Sequence, residues 1–366
     1  MEQPTRILFA VLDWGLGHAT RSLPLIQEAC RQGALPVIAS AGDAGRYLQQ
    51  EVPGLAYVEL PAYDIRYPYQ NMVANMALQL PKIAYAAIRE HRRVQQLIRT
   101  HRIKAVVSDN RFGCWSSAVP SVFLSHQLQL QAPVPVLSRM ANKLNHYFLK
   151  RYDQCWIPDR PGEDSLSGAL SVPPTGLAYR HLGLLSRFTN KRPHPIPGPV
   201  EVLALLSGPE PQRTYLEKEL LPQLRALRGH KVLVRGTMGG KQLPASEGLS
   251  VYNYLESEAL GRILAAAKVV VCRSGYSSLM DLSAMGKRVL LIPTPGQTEQ
   301  EYLASRLLQQ GCATVQRQGH IRLQEGIAAA IRRDGLTAEQ DESRVAEAMQ
   351  SLIASANSID TRRNRS

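Results

Sequence analysis

An α/β protein built as two parallel, doubly wound halves is what this sequence predicts, on three observations. The chain has 366 residues, too many for one ordinary core and suited to two domains of roughly 150 to 200 residues. Short β-rich runs alternate with helix-period segments, which is the rhythm of βαβ units and a parallel sheet. That rhythm stops once, at a proline-rich stretch near the middle, and then starts again.

In the first half the strand candidates are Arg6–Leu12, Val37–Ser40, Ala56–Leu60, Ala105–Ser108 and Ser121–Leu124. They are short, apolar and rich in β-branched or aromatic residues. Between Ser186 and Val200 the chain carries four prolines. Each removes a backbone donor, so this stretch fits neither a helix interior nor a central strand. Residues 187–199 are therefore expected to link the halves. The second half offers strands at Val202–Leu206, Lys231–Val234, Leu249–Tyr252, Val269–Cys272 and Val289–Ile292, with helices at Tyr215–Leu227, Leu260–Ala267, Tyr276–Met285 and Glu299–Gln309. A last helix near Thr337–Ala356 has no strand after it. It is expected to pack back across the domain junction, with Thr361–Ser366 as a frayed basic tail. The expected organisation is thus a domain over 1–186, the linker, a domain over 200–335, and a C-terminal segment over 336–366.

With 44% apolar and 20% charged residues, the composition is that of a globular chain. The early apolar run Ile7–Leu12 is too short to span a bilayer and lacks the flanks of a secretory signal, so a cytoplasmic location is expected. Five widely spaced cysteines (Cys30, Cys114, Cys155, Cys272, Cys312) include no C-x-x-C pair. They read as reduced, mostly buried thiols rather than disulfide or zinc ligands.

The formal net charge is +13, and the excess is spread along the chain: 19 Lys/Arg face 13 Asp/Glu up to Ser186. It is locally dense in Lys82–Arg111, with eight basic and two acidic residues, and in Arg139–Arg151, with four basic and none acidic. Apolar and aromatic residues accompany both stretches: Met72, Met76, Leu80, Ile83 and Tyr85 by the first, and Leu144, Tyr147, Phe148 and Leu149 in the second. Basic residues beside an apolar face suit an anionic membrane surface, at about 1 kcal/mol per Lys or Arg. A solvated helix face over a core stripe accounts for them equally well.

Strand Val269–Cys272 runs directly into Arg273-Ser274-Gly275-Tyr276-Ser277-Ser278 and then a helix. Such a turn gathers backbone N–H groups and a helix N-terminus at one spot, which suits a phosphate or diphosphate. Gly275 permits close approach, Ser274 or Ser277 offers a hydroxyl, and Arg273 adds charge. More often a strand–glycine–helix turn is only structural. Asp281, one helical turn on, has acceptors for a ribose diol, or is an ordinary acidic residue near a helix start. The strand after it ends in Pro293-Thr294-Pro295-Gly296-Gln297-Thr298-Glu299-Gln300-Glu301, whose acceptors and amides suit the hydroxyls of a sugar.

Taken in order, Val269–Gly275, Asp281, Ala284-Met285-Gly286-Lys287, Val289–Ile292, Pro293 and Glu299-Gln300 resemble the donor-binding region of GT-B glycosyltransferases. The likeness is to the lipid II-forming N-acetylglucosaminyltransferases (MurG) and, more widely, to the UDP-glycosyltransferases. The resemblance implies two Rossmann-like domains facing across a cleft. It implies that Ser274 and Gly275 hold the diphosphate, that Asp281 takes the ribose, and that Glu299 and Gln300 contact the donor sugar. Leu303 stands where an Asn is often found, which leaves the sugar open.

The N-terminal half carries the same resemblance. Strand Arg6–Leu12 empties into Asp13-Trp14-Gly15-Leu16-Gly17-His18-Ala19-Thr20-Arg21, similar to the family's Gly-x-Gly-His turn. A dinucleotide fingerprint fits less well, since its third glycine would fall at Thr20. Gly17 is counted with the donor site, and His18 is the expected base that takes the acceptor hydroxyl proton. A capping role at the helix start is the alternative. Asp109 is the expected partner that orients His18, with Asp13 as runner-up. His126-Gln127 resembles a stretch that lines the acceptor side. Ser207 and Gly208, after Val202–Leu206, match the start of the family's first C-domain loop and join the donor site.

The reading is an inverting, metal-independent glycosyltransferase that uses a UDP-sugar as substrate and no cofactor. Inversion and UDP are carried by the resemblance. No Asp-x-Asp motif lies near the donor loop, so Arg273, helix dipoles and loop N–H groups would stabilise the leaving diphosphate. The expected partners are a nucleotide sugar and an unidentified acceptor, with a lipid-linked or cell-envelope acceptor and peripheral association with the inner face of an anionic membrane as options left open; acceptor loops such as Tyr63–Asn75 carry no transferable signature. A nucleotide-sugar epimerase of the same architecture is the alternative enzyme. A basic nucleic-acid-binding protein is the non-enzymatic one. It is disfavoured by spread-out charge, 6% aromatic residues and no recognition module.

Overall fold

The computed structural model describes residues 4–62, 72–130, 135–188, 193–237, 239, 243–337 and 342–363. Residues 63–71 of the acceptor loop, the side chains of Met72, Met76, Leu80 and Ile83, residues 189–192 of the linker stretch and 364–366 of the tail lie outside this description. The chain divides into two compact units. The first takes in Met1–Pro68, Val73–Leu185 and Gln340–Ser366; the second takes in Ser186–Glu339 with Tyr69–Met72.

In chain order the first unit contains β1 (Arg6–Val11), α1 (Leu16–Arg31), β2 (Leu35–Ser40), α2 (Gly42–Glu51), β3 (Ala56–Glu59), α3 (Met72–Thr100), β4 (Ala105–Asp109), β5 (Ser121–Leu124), α4 (Pro135–Leu149), β6 (Gln154–Ile157) and β7 (Tyr179–His181). The second contains β8 (Val200–Leu205), α5 (Gln212–Ala226), β9 (Lys231–Val234), β10 (Leu249–Tyr252), α6 (Ser257–Ala266), β11 (Ala267–Cys272), α7 (Tyr276–Ala284), β12 (Val289–Leu291), α8 (Thr298–Gln309), β13 (Thr314–Val315) and α9 (Leu323–Ile331). The chain then returns to the first unit as α10 (Glu342–Arg363).

Both sheets are parallel among the described residues. The first has the order β3-β2-β1-β4-β5-β6-β7 and the second β10-β9-β8-β11-β12-β13. Each is Rossmann-like: the second and third strands run outwards one way from the first, and the fourth lies on its other side. The central strands are apolar because both faces are covered. In β1, Ile7, Leu8, Phe9, Ala10 and Val11 are all buried, as are Val269, Val270, Val271 and Cys272 in β11. On the first sheet, Val94 and Leu97 of α3 pack against Leu8, Val37 and Val106. On the second, Leu216, Leu220 and Leu224 of α5 pack against Val202, Ala204 and Leu233.

The last helix is fixed to the first unit by polar and apolar contacts. Asn357 Oδ1 accepts a hydrogen bond from Thr5 Oγ1 (2.7 Å), and the Gln32 amide donates to the Ala346 carbonyl (2.8 Å). Ala348, Met349, Leu352 and Ala356, at helical spacing, are buried. No described helix is long and apolar enough to cross a membrane.

Three strands and one helix were not foreseen from periodicity. Strand β6 opens on a polar Gln154, β7 is only Tyr-Arg-His at a sheet edge, and β13 has two residues. Runs this short carry no period to read. Helix α9, Leu-Gln-Glu-Gly-Ile-Ala-Ala-Ala-Ile, has Gly326 in its interior, which weakens the helical signal. Its glycine has a packing reason, since an added Cβ would lie 2.7 Å from a Leu290 methyl carbon.

Candidate functional site

Each sheet has one point where neighbouring strands send their chains in opposite directions, and ligands of such sheets bind beyond the carboxyl ends of the strands there. In the first unit these strands are β1 and β4, with Val11 opposite Asp109. In the second they are β8 and β11, with Leu205 opposite Cys272. Gly17, His18 and Asp109 follow the first pair of strands, and Ser207, Gly208 and Arg273–Gly275 the second, whereas Asp281 lies within α7 and Glu299 and Gln300 follow β12.

In the first unit, the turn after β1 passes through Gly15 at φ 70° and ψ −179°, a conformation open essentially only to glycine. Helix α1 begins at the next residue with no side-chain cap and no acid in its first turn. Gly17 and His18 lie in that turn, and the Gly17 carbonyl accepts from Thr20 Oγ1 (3.0 Å). His18 Nδ1 is 2.8 Å from Asp109 Oδ1 at the end of β4. The structure thus brings together the two residues expected to act as base and orienting acid.

Asp109 has further partners that the sequence reading missed. Arg21 Nε donates to Asp109 Oδ2 (2.9 Å), Arg21 Nη2 reaches Asp109 Oδ1, and Ser22 Oγ donates to Oδ2 (2.9 Å). Arg21 also meets both histidines: Nη2 is 2.9 Å from His18 Nδ1, and Nη1 is 3.0 Å from His126 Nδ1. Asp109, Arg21 and Ser22 are at most 2% exposed, while His18 keeps 15% of its side chain accessible. The signal was available, because Arg21 lies three residues after His18 and shares its helix face.

Burial alone would raise the Asp109 carboxyl. The Arg21 charge, followed by His18, overturns this and holds it well below the usual carboxylate range. For His18, burial and then the Arg21 cation lower the imidazole below its ordinary value, with Asp109 pulling the other way. The runner-up Asp13 pairs with Arg111 Nη2 (3.2 Å) instead of His18. Arg111 itself is fully buried, bound to Glu90 Oε1 (2.5 Å) and to the Val11 carbonyl (2.9 Å).

In the second unit, the Arg273-Ser274-Gly275 turn departs from expectation in part. Arg273 is fully buried and its amino groups serve protein acceptors: the carbonyls of Ile292 (3.0 Å), Pro293 (3.2 Å) and Gln212 (3.0 Å), and Gln318 Oε1 (2.6 Å). It therefore staples three loops together rather than presenting donors to a phosphate. Burial lowers it to about 10, so it remains a cation and a source of positive field at neutral pH. Ser274 is likewise buried, its hydroxyl donating to the Gln300 carbonyl (2.7 Å).

Gly275 is different. It is the N-cap of α7 at φ −75° and ψ 135°, where any residue fits, and an added Cβ would meet nothing within 4 Å. Neither backbone nor packing asks for a glycine here. Helix α7 has no side-chain cap and no acid in its first turn, so its N-terminal field is uncompensated locally. On the neighbouring strand, the loop after β8 carries half-buried Ser207 and then Gly208 at φ 103°.

Asp281 is not an exposed residue of α7. It is 6% exposed, and its carboxylate accepts from Ser186 Oγ (2.8 Å) and Arg187 Nε (3.0 Å). Burial raises its carboxyl, with Arg187 opposing. A ribose diol would have to share these donors' acceptor or displace them. Glu299 is half-buried in the first turn of α8. Gln300 is buried and gives its side-chain oxygen to the Thr294 N–H (2.8 Å). Gln300 thus ties the Pro293–Gln297 loop to the Ser274 turn.

Comparison with known proteins bears on this arrangement. The glycosyltransferase family 28 C-terminal domain matches residues 235–358. A protein described as an uncharacterized glycosyltransferase from Methanopyrus kandleri is 24% identical over 303 residues, which is 78% of this chain and 84% of that protein. A UDP-N-acetylglucosamine–N-acetylmuramyl-(pentapeptide) pyrophosphoryl-undecaprenol N-acetylglucosamine transferase from Desulforudis audaxviator is 31% identical over 159 residues, 38% of this chain and 42% of that enzyme. The crystal structure of a Streptomyces glycosyltransferase, SsfS6, complexed with thymidine diphosphate, shares the fold with a TM-score of 0.57 and 15% identity, covering 98% of this chain and 99% of that one. The chain is a glycosyltransferase of the GT-B fold, with a C-terminal domain of family 28.

Proposed function

We propose that this enzyme is an inverting, metal-independent transferase in which His18 is the base and a UDP-sugar is the donor. The observation that carries the reading is the 2.8 Å contact between His18 Nδ1 and Asp109 Oδ1. With its proton on Nδ1, donated to the carboxylate, the imidazole keeps a lone pair on Nε2. That nitrogen takes the proton of an acceptor hydroxyl as the hydroxyl oxygen bonds to the anomeric carbon. The bond from that carbon to the diphosphate oxygen breaks, and the diphosphate leaves with the electron pair.

The donor reading rests on the second unit. Gly275 offers an open approach at the uncapped start of α7, and Ser207-Gly208 lies on the adjacent strand end. These groups suit a diphosphate, with buried Arg273 adding positive field. Glu299 and the Gln300 amide are proposed to meet the sugar, and Asp281 the ribose. UDP is favoured by the donor in the printed name of the Desulforudis relative. Thymidine diphosphate, present in the Streptomyces structure, is the competing nucleotide.

The test is incubation with UDP- and dTDP-sugars and a panel of saccharide and lipid-linked acceptors, reading nucleotide release and product anomeric configuration by NMR. Inverted product is expected. A retained configuration overturns the mechanism, and donor conversion without acceptor would make the protein an epimerase.

A second reading concerns where the enzyme works. On α4, Val136, Leu137, Met140, Leu144 and Tyr147 are exposed along one face. Arg139, Lys143, Lys150 and Arg151 are exposed in and just after the same helix. On α3, Tyr85 and Ile88 are exposed beside Arg89 and Arg92. Apolar side chains flanked by cations suit insertion among anionic headgroups, which supports peripheral binding to the inner face of a membrane.

A further inference from the structure

We propose that Arg21 is a positioning residue for His18: it neutralises Asp109, contests the ring nitrogen that Asp109 holds, and so keeps the imidazole an uncharged acceptor at Nε2. Its bearing on turnover rests on the reading of His18 as the base. Its test does not.

The geometry is that of one ring nitrogen between two claimants. His18 Nδ1 is 2.8 Å from Asp109 Oδ1 and 2.9 Å from Arg21 Nη2. A guanidinium only donates and a carboxylate only accepts. If Nδ1 carries the proton, it bonds to Asp109 and Nε2 is a base. If Nδ1 is bare, it accepts from Arg21, the proton sits on Nε2, and the ring cannot take a proton there. Both bonds are charge-assisted, but Arg21 Nη2 also has Asp109 Oδ1 as an acceptor and does not need the ring, so the structure favours the basic form.

Arg21 then acts through charge. Three titratable or charged groups face His18: Arg21 on α1, Asp109 at the end of β4, and His126 beyond β5. His126 Nδ1 meets Arg21 Nη1 at 3.0 Å and accepts there, and it is the smallest of the three influences on His18. Arg21 and Asp109 cancel, and a neutral His18 leaves the cluster neutral. A lone His–Asp pair this deeply buried would favour imidazolium, which is useless as a base, because the carboxylate would have no other counter-charge. Both contacts of Arg21 with Asp109, through Nε and through Nη2, oppose that outcome.

The experiment is ¹⁵N NMR of the full chain alone, correlating ring nitrogens with ring protons over a pH range. His18 is assigned among the nine histidines by the signals lost in His18→Gln. The wild-type ring is expected to be neutral at pH 7, protonated at Nδ1, with a titration midpoint below the ordinary value of about 6.5. Arg21→Gln should raise that midpoint by about one pH unit or more, Arg21→Lys should fall between, and His126→Gln should not reproduce the shift. An unchanged midpoint in Arg21→Gln overturns the proposal. Should that variant not fold, the wild-type spectrum decides alone: imidazolium at pH 7, or a neutral ring protonated at Nε2, overturns it. Full turnover in His18→Gln would remove the base reading while leaving this result intact.

Discussion

Asp109 and Arg111 stand two residues apart, on either side of an Asn110 in the left-handed conformation (φ 54°), and enter separate buried networks. Asp109 joins His18, Arg21 and Ser22, whereas Arg111 joins Glu90, Asp13 and the Val11 carbonyl. Asn110 is the pivot that aims the two charges apart. Asn110→Gly should therefore keep the fold and activity. Asn110→Val should destabilise by about 1–3 kcal/mol in urea melts and lower turnover as well, because Asp109 loses its aim. Equal stability of the two variants would show that the pivot carries no strain.

Removing the acid should cost stability and chemistry together. In Asp109→Asn, Arg21 keeps its charge in a site with 2% exposure, and breaking a buried pair in this way typically costs about 3–5 kcal/mol. His18→Gln, by contrast, should lower turnover by about a hundred-fold or more with nucleotide affinity unchanged by calorimetry. Adding Arg21→Gln to Asp109→Asn should recover part of the lost stability. No recovery would mean that the penalty does not come from the orphaned guanidinium.

Two glycines of the proposed donor site should respond oppositely to a methyl group. Gly275→Ala should lie within about 0.5 kcal/mol of wild type in stability, since its φ is −75° and its Cβ meets nothing, yet it should lose UDP binding. Gly208→Ala, at φ 103°, should destabilise the fold by about 1–3 kcal/mol. Normal UDP affinity in Gly275→Ala would remove the diphosphate from this turn.

Asp281→Ala separates brace from ligand. Loss of the Ser186 and Arg187 contacts should lower stability by about 1–3 kcal/mol, read by urea unfolding. If the carboxylate also meets the ribose, UDP affinity falls with it. Lowered stability with unchanged affinity assigns Asp281 to the brace alone.

Acid should weaken both function and fold. The His18 and Asp109 values are both lowered on folding, so each contributes stability that is present above its unfolded value and lost as pH falls towards the folded one. Unfolding free energy should decline below about pH 6.5, and more steeply below about pH 4. The acid limb of kcat/KM should lie below that of an ordinary histidine. A limb above pH 7 would contradict a lowered His18.

For membrane binding, Met140→Glu combined with Leu144→Glu should reduce sedimentation with anionic liposomes, as should Arg92→Glu with Arg139→Glu. Neutral liposomes should bind weakly throughout. Indifference to all four changes would return these helices to a solvated face.

Much of the architecture was legible because strands such as Arg6–Val11 and Ala267–Cys272 hold continuous apolar runs, Ile7–Val11 and Val269–Cys272, ended by glycine turns. The His18–Asp109 pairing was legible too, since both residues follow central strands. What sequence could not give was the use of each polar group. Arg273 and Asp281 look like ligand residues by position, yet both are buried and bonded within the protein. Arg21 looks like a routine helix residue, yet it touches three members of the candidate site. Spacing indicates which residues can meet, whereas partner choice depends on burial and on every competing donor nearby.

The return of α10 to the first unit has a consequence for how the protein is made. Helix α10 lies against α1, the helix that carries His18 and Arg21, and buries Met349 completely. The ribosome produces α10 only after the whole of the second unit has been synthesised. The first unit to emerge is thus the last to be finished, and the helix with His18 and Arg21 gains its final covering layer only once the second unit already exists.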